Sequence, residues 1–364
     1  MPAAARSRRA LGLALLSACA FGGSGVAAKP LIDAGLSPLQ VVWLRMACSA
    51  LVLLPVAVRH RDLPRRHPGL LLGFGLIGVV FVQGCYFFAI SRIPVGVALL
   101  IEYLGPALLL GYVRFVQRRR VSRAATVGAL VTMVGLALVV QFWEGLGGLD
   151  PVGVLAALGA AMGMVGYFVI SEKSGAQAAD PAGPAREPID PLGLTAYGLL
   201  LGSLMLLPIA RPWSIHWQLL GGQADLGGQR LPALVLLGWI VLIATVLAYL
   251  TGVASVSRLS APVAGVVACL EAVVATVLAW VLLGQHLDSP QMVGGLLVLV
   301  GACVAQTSGA VAGPARKGPV AEGSNPPAST AATSTAAASA TATSAAAGPT
   351  GPGPAVSPAG TARG

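Results

Sequence analysis

Charge is what this sequence has least of. Only 10% of its 364 residues are Asp, Glu, Lys or Arg, against about 25% in soluble domains. So little charge excludes the pair of ordinary soluble domains that the length alone would suggest. Acids are the scarcer sign, 13 against 23 basic residues, for a net charge of +10. That excess would suit a nucleic acid if the basic residues lined one face. They sit instead in short segments between apolar runs, so no nucleic-acid partner is expected. His60, His67, His216 and His286 are scattered over those segments and form no metal cluster. The five cysteines, Cys19, Cys48, Cys85, Cys269 and Cys303, all fall inside apolar runs. They lack both metal-site and disulfide spacing and read as small packing residues. No phosphate-binding GxxxxGK[ST] loop occurs, which excludes that route to ATP hydrolysis. Gly73 to Gly78 fits GxGxxG, but it lies inside an apolar run with no strand before it, where small residues serve helix packing. With no nucleophile–base pair either, no enzyme activity, no cofactor and no metal are expected.

What is present is apolar length. Hydrophobic residues make up 56% of the chain and the mean hydropathy is +0.81. Runs of about 20 apolar residues cross a bilayer. Ten occur, near 10–29, 37–58, 69–90, 94–115, 124–143, 151–171, 191–210, 231–251, 260–283 and 289–308. The first follows Arg6, Arg8 and Arg9, and its Leu16-Ser-Ala-Cys19 looks like a lipoprotein cleavage box. The run continues through Lys29, so it reads as an uncleaved span. With residues 1–9 cytoplasmic, 18 of the 23 basic residues fall on the inner side. Four fall outside (Lys29, Arg92, Arg211 and Arg230), and Arg45 lies within a span. This is the positive-inside pattern of a multi-pass protein of the cell membrane with both termini cytoplasmic. The outer loop 211–230 carries Trp213 and Trp217 as interface anchors. Residues 174–190 read as a polar inner linker. Residues 309–364 are Ala, Thr, Ser, Pro and Gly, a disordered cytoplasmic tail.

The chain also repeats itself. Ile90-Ser91-Arg92 matches Val256-Ser257-Arg258, Val127-Gly128 matches Val293-Gly294, and Val134-Gly135 matches Val300-Gly301, each at an offset of 166. Earlier, Ser37-Pro38 matches Asp190-Pro191, and Leu53-Leu54-Pro55 matches Leu206-Leu207-Pro208, at an offset of 153. Five spans per half place the second half upside down, the inverted repeat common in secondary transporters. The expected fold is an all-α integral membrane protein of ten transmembrane helices in two inverted five-helix repeats, 10–143 and 150–308.

Few residues inside the runs carry chemistry. Glu102 lies within the fourth, and an acid at that depth must face water, find a partner charge or hold a proton. It either couples transport to protonation or is a structural partner of Arg45. Glu271 lies in the ninth run, three residues beyond the offset match of Glu102, nearly one turn away, so both acids occupy similar helix faces. Its alternative is a structural acid at a helix interface. Arg45 would pair with either acid or bind a substrate carboxylate. Lys29 reads as a pathway residue or as a snorkelling cation. Tyr86 and Tyr103 read as pathway liners or interface anchors. Pro106 is expected to kink the helix beside Glu102.

Three motifs carry a resemblance. Val95 to Leu110, VGVALLIEYLGPALLL, has a small-rich run leading into a glutamate and a Gly-Pro pair; residues 270–287 read LEAVVATVLAWVLLGQHL; and Arg45 stands in WLRMACSALVLLP. Over about residues 10–308 the chain resembles the EamA-type transporters of the drug/metabolite transporter superfamily, and within them the threonine/homoserine exporter branch. It departs from their pattern at Ala272, where proline is common, and at Gln285, where glutamate is common. The resemblance implies export of small metabolites, and amino acids by proton antiport are the expected cargo. The partners expected are a small-molecule substrate and the lipid bilayer, with the chain a monomer or homodimer. A carrier of other specificity, or a receptor or scaffold that transports nothing, are the alternatives.

Overall fold

The computed structural model describes residues 3–118, 121–141, 148–178, 190–256 and 261–308. The readings made for Arg119, Arg120, Arg258, most of the 174–190 linker and the tail lie outside the described residues. The helices are α1 Ala3–Asp33, α2 Pro38–Val52, α3 Leu54–Arg59, α4 Leu63–Arg66, α5 Pro68–Gly73, α6 Val82–Ile90, α7 Val95–Glu102 and α8 Gly105–Phe115. They continue with α9 Arg123–Val140, α10 Pro151–Ala178, α11 Pro191–Ala210, α12 Gln218–Gly221, α13 Ala233–Gly238, α14 Ala248–Val256, α15 Ala261–Leu283 and α16 Ser289–Ser308. Six stretches are long and apolar enough to cross a membrane: Ala10–Asp33, Pro68–Ile90, Val95–Phe115, Arg123–Val140, Pro191–Ala210 and Ala233–Ser255. Four further apolar helices are shorter: Pro38–Val52, Pro151–Gly166, Cys269–Leu283 and Ser289–Ala305. The second run is cut at Leu53: Pro55 has no N–H to offer the Leu51 carbonyl, and it stands in the first turn of the restarted helix α3. At the linker the difference runs the other way, since α10 continues to Ala178.

Three departures from regular helix were not expected. Phe74–Phe81, between α5 and α6, and Trp239–Leu247, between α13 and α14, are wound as π-helix. They occupy matching places in the two halves, and an unbroken apolar run gives no periodicity from which to read that winding. The third is at Pro106. In place of a kink, the helix stops at Tyr103–Leu104 and restarts as α8, with Pro106 in its first turn. Proline is tolerated there because that N–H has no helical acceptor. The same missing N–H deprives the Glu102 carbonyl of its i+4 donor.

The matched caps serve matched helices. Ser37 accepts from Gln40 N–H at 3.2 Å, and the Gln40 side chain accepts from Ser37 N–H at 3.0 Å, a capping box that starts α2. Asp190 Oδ1 accepts from Leu192 N–H at 2.7 Å to start α11.

Helices α9 and α16 approach backbone to backbone. A Cβ at Gly128 would fall 2.7 Å from the Gly301 carbonyl oxygen, and one at Gly294 would fall 2.6 Å from that of Gly135. Under the 166 offset Gly128 matches Gly294 and Gly135 matches Gly301. Each glycine therefore meets the counterpart of the other, the reciprocal pattern of a two-fold contact, and the helices run antiparallel. Small residues permit this approach.

The loops at one end are tied together. Gln40 Nε2 donates to Ser214 Oγ at 3.3 Å, and Arg92 Nη1 donates to Asp150 Oδ2 at 2.8 Å. At this end the all-α expectation needs a correction, because part of the 211–230 loop is a hairpin. β1 Gln223–Leu226 pairs antiparallel with β2 Gln229–Pro232, with Leu226 opposite Gln229. Gly227 and Gly228 make the two-residue turn with φ of 62° and 89°, values that favour glycine at both central positions. Gly227 lies against the Leu282 carbonyl at the end of α15.

Two predictions follow from these contacts. Gly135→Leu forces α9 and α16 apart and should cost about 1–3 kcal/mol of overpacking, read as a lower thermal midpoint in detergent. Gly111→Ala, with nothing within 4 Å of the added Cβ, should leave the midpoint in place. The hydrogen bond from Arg92, with help from Val152 N–H, holds the exposed Asp150 carboxyl below its usual range. Its small contribution is present above the ordinary carboxylate pKa and is lost as pH falls through the depressed value. Asp150→Asn should flatten that low-pH part of the midpoint-versus-pH curve.

Candidate functional site

Arg45 is the centre of the site. It lies on α2 and is 3% exposed. A guanidinium cannot lose its proton in a protein, so burial demands acceptors for its donors. Nε donates to Thr245 Oγ1 at 2.8 Å, Nη1 to Ser24 Oγ at 3.0 Å and to Gln83 Oε1 at 2.9 Å, and Nη2 to the Ala244 carbonyl at 3.3 Å. These acceptors come from α1, α6 and the second π segment. The cation also lies over the Phe87 ring, with Cζ 5.5 Å from the centroid, a favourable cation–π contact. Thr245 donates in turn to the Ile240 carbonyl at 2.7 Å, five residues back, as π winding permits.

Both acids are buried near this cation. Glu102 ends α7 at the helix break, and Glu271 lies inside the unbroken α15. Arg45, Glu102 and Glu271 lie within Coulombic range of one another, and Tyr86 lies within range of all three. The ion pair, one of the alternatives for Arg45, is not made: among the described residues, no salt bridge joins Arg45 to either carboxylate, and its hydrogen bonds go to neutral oxygens. Glu271 Oε2 is buried and has no hydrogen-bond partner among the described residues. On that face Gly22 of α1 stands close to the Glu271 backbone carbonyl, where a Cβ would fall at 2.8 Å.

The other candidates divide. Tyr86, on α6, is buried with its hydroxyl against Gly25 of α1 and its ring edge-on to Phe87, 5.6 Å between centroids. Tyr103 is fully buried at the break between α7 and α8, which rules out an interface anchor. Lys29 does not join the cluster: its Nζ binds Asp33 at 2.8 Å, one turn along a partly exposed stretch of α1. An i,i+4 acid was present in the sequence to signal that pairing. Four residues of the site were missed: Ser24, Gln83, Thr245 and Tyr249, the last within Coulombic range of Arg45. Gln83 and Tyr249 match under the 166 offset, a signal that a comparison of polar positions in the two halves would have caught. Cys269 and Cys303 were read as separate packing residues, yet their Sγ atoms lie 2.9 Å apart between α15 and α16.

One guanidinium facing two carboxylates leaves the group one negative charge in excess when both acids are ionised. Among the described residues no group of three or more His, Cys, Asp or Glu is placed to hold a metal ion.

The EamA-like transporter family model matches residues 8–141 and again residues 151–307. The chain belongs to this family. It is therefore a multi-pass membrane transporter of the drug/metabolite transporter superfamily. An uncharacterized transporter of Clostridium kluyveri is 22% identical over 316 residues, 83% of this chain and 94% of the relative. The uncharacterized inner membrane transporter YicL of Salmonella typhimurium is 21% identical, over 78% of this chain and 91% of the relative. The threonine/homoserine exporter RhtA of Escherichia coli K12 is 26% identical, over 74% of this chain and 80% of the relative. A solved crystal structure 19% identical in sequence shares the fold with a TM-score of 0.50, over 82% of this chain and 96% of that one.

The bonding of Arg45 generates a prediction about stability. Arg45→Gln removes hydrogen bonds to a charged donor, each on the order of 1.5–3 kcal/mol, and should lower the thermal midpoint clearly. Arg45→Lys should recover only part of the loss, because an ammonium lacks the planar fork that reaches Thr245, Ser24 and Gln83 together.

Proposed function

We propose that this transporter is a secondary exporter of small polar metabolites, amino acids foremost, driven by protons moving the other way across the cytoplasmic membrane. The reading includes ten spans in two inverted five-helix repeats, residues 10–143 and 150–308, with both termini cytoplasmic. The reciprocal glycine contact of α9 with α16 and the matched π segments support the repeat. The observation that carries the mechanism is the pair of buried carboxylates, Glu102 and Glu271, beside one cation already bonded to neutral oxygens. Ionisable residues within membrane spans mark substrate or proton pathways. An ammonium group arriving at the acids would compete with a bound proton, which links cargo to proton in opposite directions. Glu102 ends a broken helix, a feature of secondary-carrier binding sites. The threonine/homoserine exporters among the relatives favour amino acids as cargo.

Efflux of labelled amino acids from cells expressing the protein tests the reading. Threonine or homoserine should leave faster than from vector controls, and a protonophore should abolish the difference. Glu102→Gln should reduce efflux to the protonophore level. Efflux no faster than the control across the panel would overturn amino-acid export, and efflux indifferent to both protonophore and Glu102→Gln would overturn the antiport.

A further inference from the structure

The helix that ends at Glu102 begins with a problem. α7 starts Pro94-Val95-Gly96-Val97, and Pro94 supplies no side-chain cap. Val95 and Val97 are fully buried, so water cannot satisfy the first N–H groups of this helix. The acceptor comes from 190 residues away: Gln285 Oε1 takes the Val95 N–H at 2.9 Å. Its side chain is aimed by the end of α15. Gly284 adopts a left-handed φ of 63° and its N–H bonds the Trp280 carbonyl at 3.1 Å, the five-to-one bond of an αL ending, while Gln285 N–H folds back further to the Ala279 carbonyl at 3.1 Å. Below this contact the helices stay close, with Thr276 of α15 against Gly96 of α7, where a Cβ would fall 2.9 Å from Thr276 Oγ1. Ala272, Ala275 and Ala279 form a buried stripe on α15 at helical spacing beside Glu271. The hairpin turn lies against Leu282 at the same helix end.

We infer that Gln285 is a positioning residue: it latches the two carboxylate-bearing helices together at the hairpin end, and this latch opens whenever the pathway opens at that end. The inference rests on the transporter reading, since only a carrier must part these helices to expose its site. Opening there separates α7 from α15, and among the described residues Gln285 bridges their ends by capping one from the other. An amide makes the bridge independent of pH, whereas a glutamate at this position would bind the same N–H as a charge.

The test reads accessibility and needs no transport, so failure of the latch is distinguishable from failure of the export reading. The full-length chain, with its five native cysteines replaced, receives Ala279→Cys as a reporter beneath the latch. In nanodiscs, where both faces meet the reagent, a polar maleimide measures how often that position is exposed. Gln285→Leu, which removes the acceptor, should raise the labelling rate about tenfold, the scale of one lost hydrogen bond to a buried N–H. Gln285→Glu, which keeps the acceptor, should label at or below the parent rate. Gln285→Asn, one methylene shorter, should fall between and serves if Gln285→Leu does not fold. A second reporter, Val298→Cys, fully buried on α16, should stay protected throughout. Equal labelling with Gln, Leu, Asn and Glu at position 285 would overturn the latch. So would a rise at Val298→Cys matching that at Ala279→Cys, which would mean general loosening.

Discussion

The arrangement depends on satisfying one guanidinium away from water. Arg45 stays charged, and every unanswered donor would carry its full desolvation cost. Its acceptors fix three other elements around α2: Ser24 of α1, Gln83 of α6, and Thr245 with Ala244 in the second π segment. All are neutral, so they hold the cation without cancelling its charge. Glu102 and Glu271 lie within reach of its positive field, which offsets only part of the cost of burying them, and among the described residues no direct salt bridge is made.

Two of the three irregular stretches of backbone lie at the same place. Thr245 and Ala244 belong to a π segment, and Glu102 stands at the break made by Tyr103, Leu104 and Pro106. A regular α-helix satisfies its own backbone and offers nothing to a neighbour or a cargo. Non-helical backbone at membrane depth is tolerated where protein or a water-lined cavity surrounds it. These two departures fall where polar groups are already gathered, and helices α9 and α16, with Val127, Leu130 and Leu296 exposed, remain regular.

Much of the scaffold was legible in the sequence because bilayer thickness imposes a length that apolar runs display directly. The apolar runs, the depth of Glu102, Glu271 and Arg45, and the disruption at Pro106 could all be read from residue type and position. Contacts that depend on three-dimensional approach could not. Arg45 was expected to seek a carboxylate, the strongest partner by charge. Three neutral side chains and a carbonyl, scattered over more than 200 residues, hold it instead. The π segments were hidden because an all-apolar stretch has no period. The hairpin was visible as Gly227-Gly228 between short polar segments, but it was masked by the prior that a loop between spans is only a loop.

The two halves agree in their frame and disagree in their chemistry. Glycines, caps and π segments match across the repeat, so the frame can treat the halves alike. The site cannot. Arg45 matches Gly198 under the earlier offset, where the Phe74 ring takes the space a side chain would fill. Glu271 matches Gly105, and Glu102 matches Ala268, so one acid sits at a helix break and the other within an unbroken helix. The asymmetry of the charged cluster thus arises from different residues at a few buried positions, within a frame whose glycines, caps and π segments correspond.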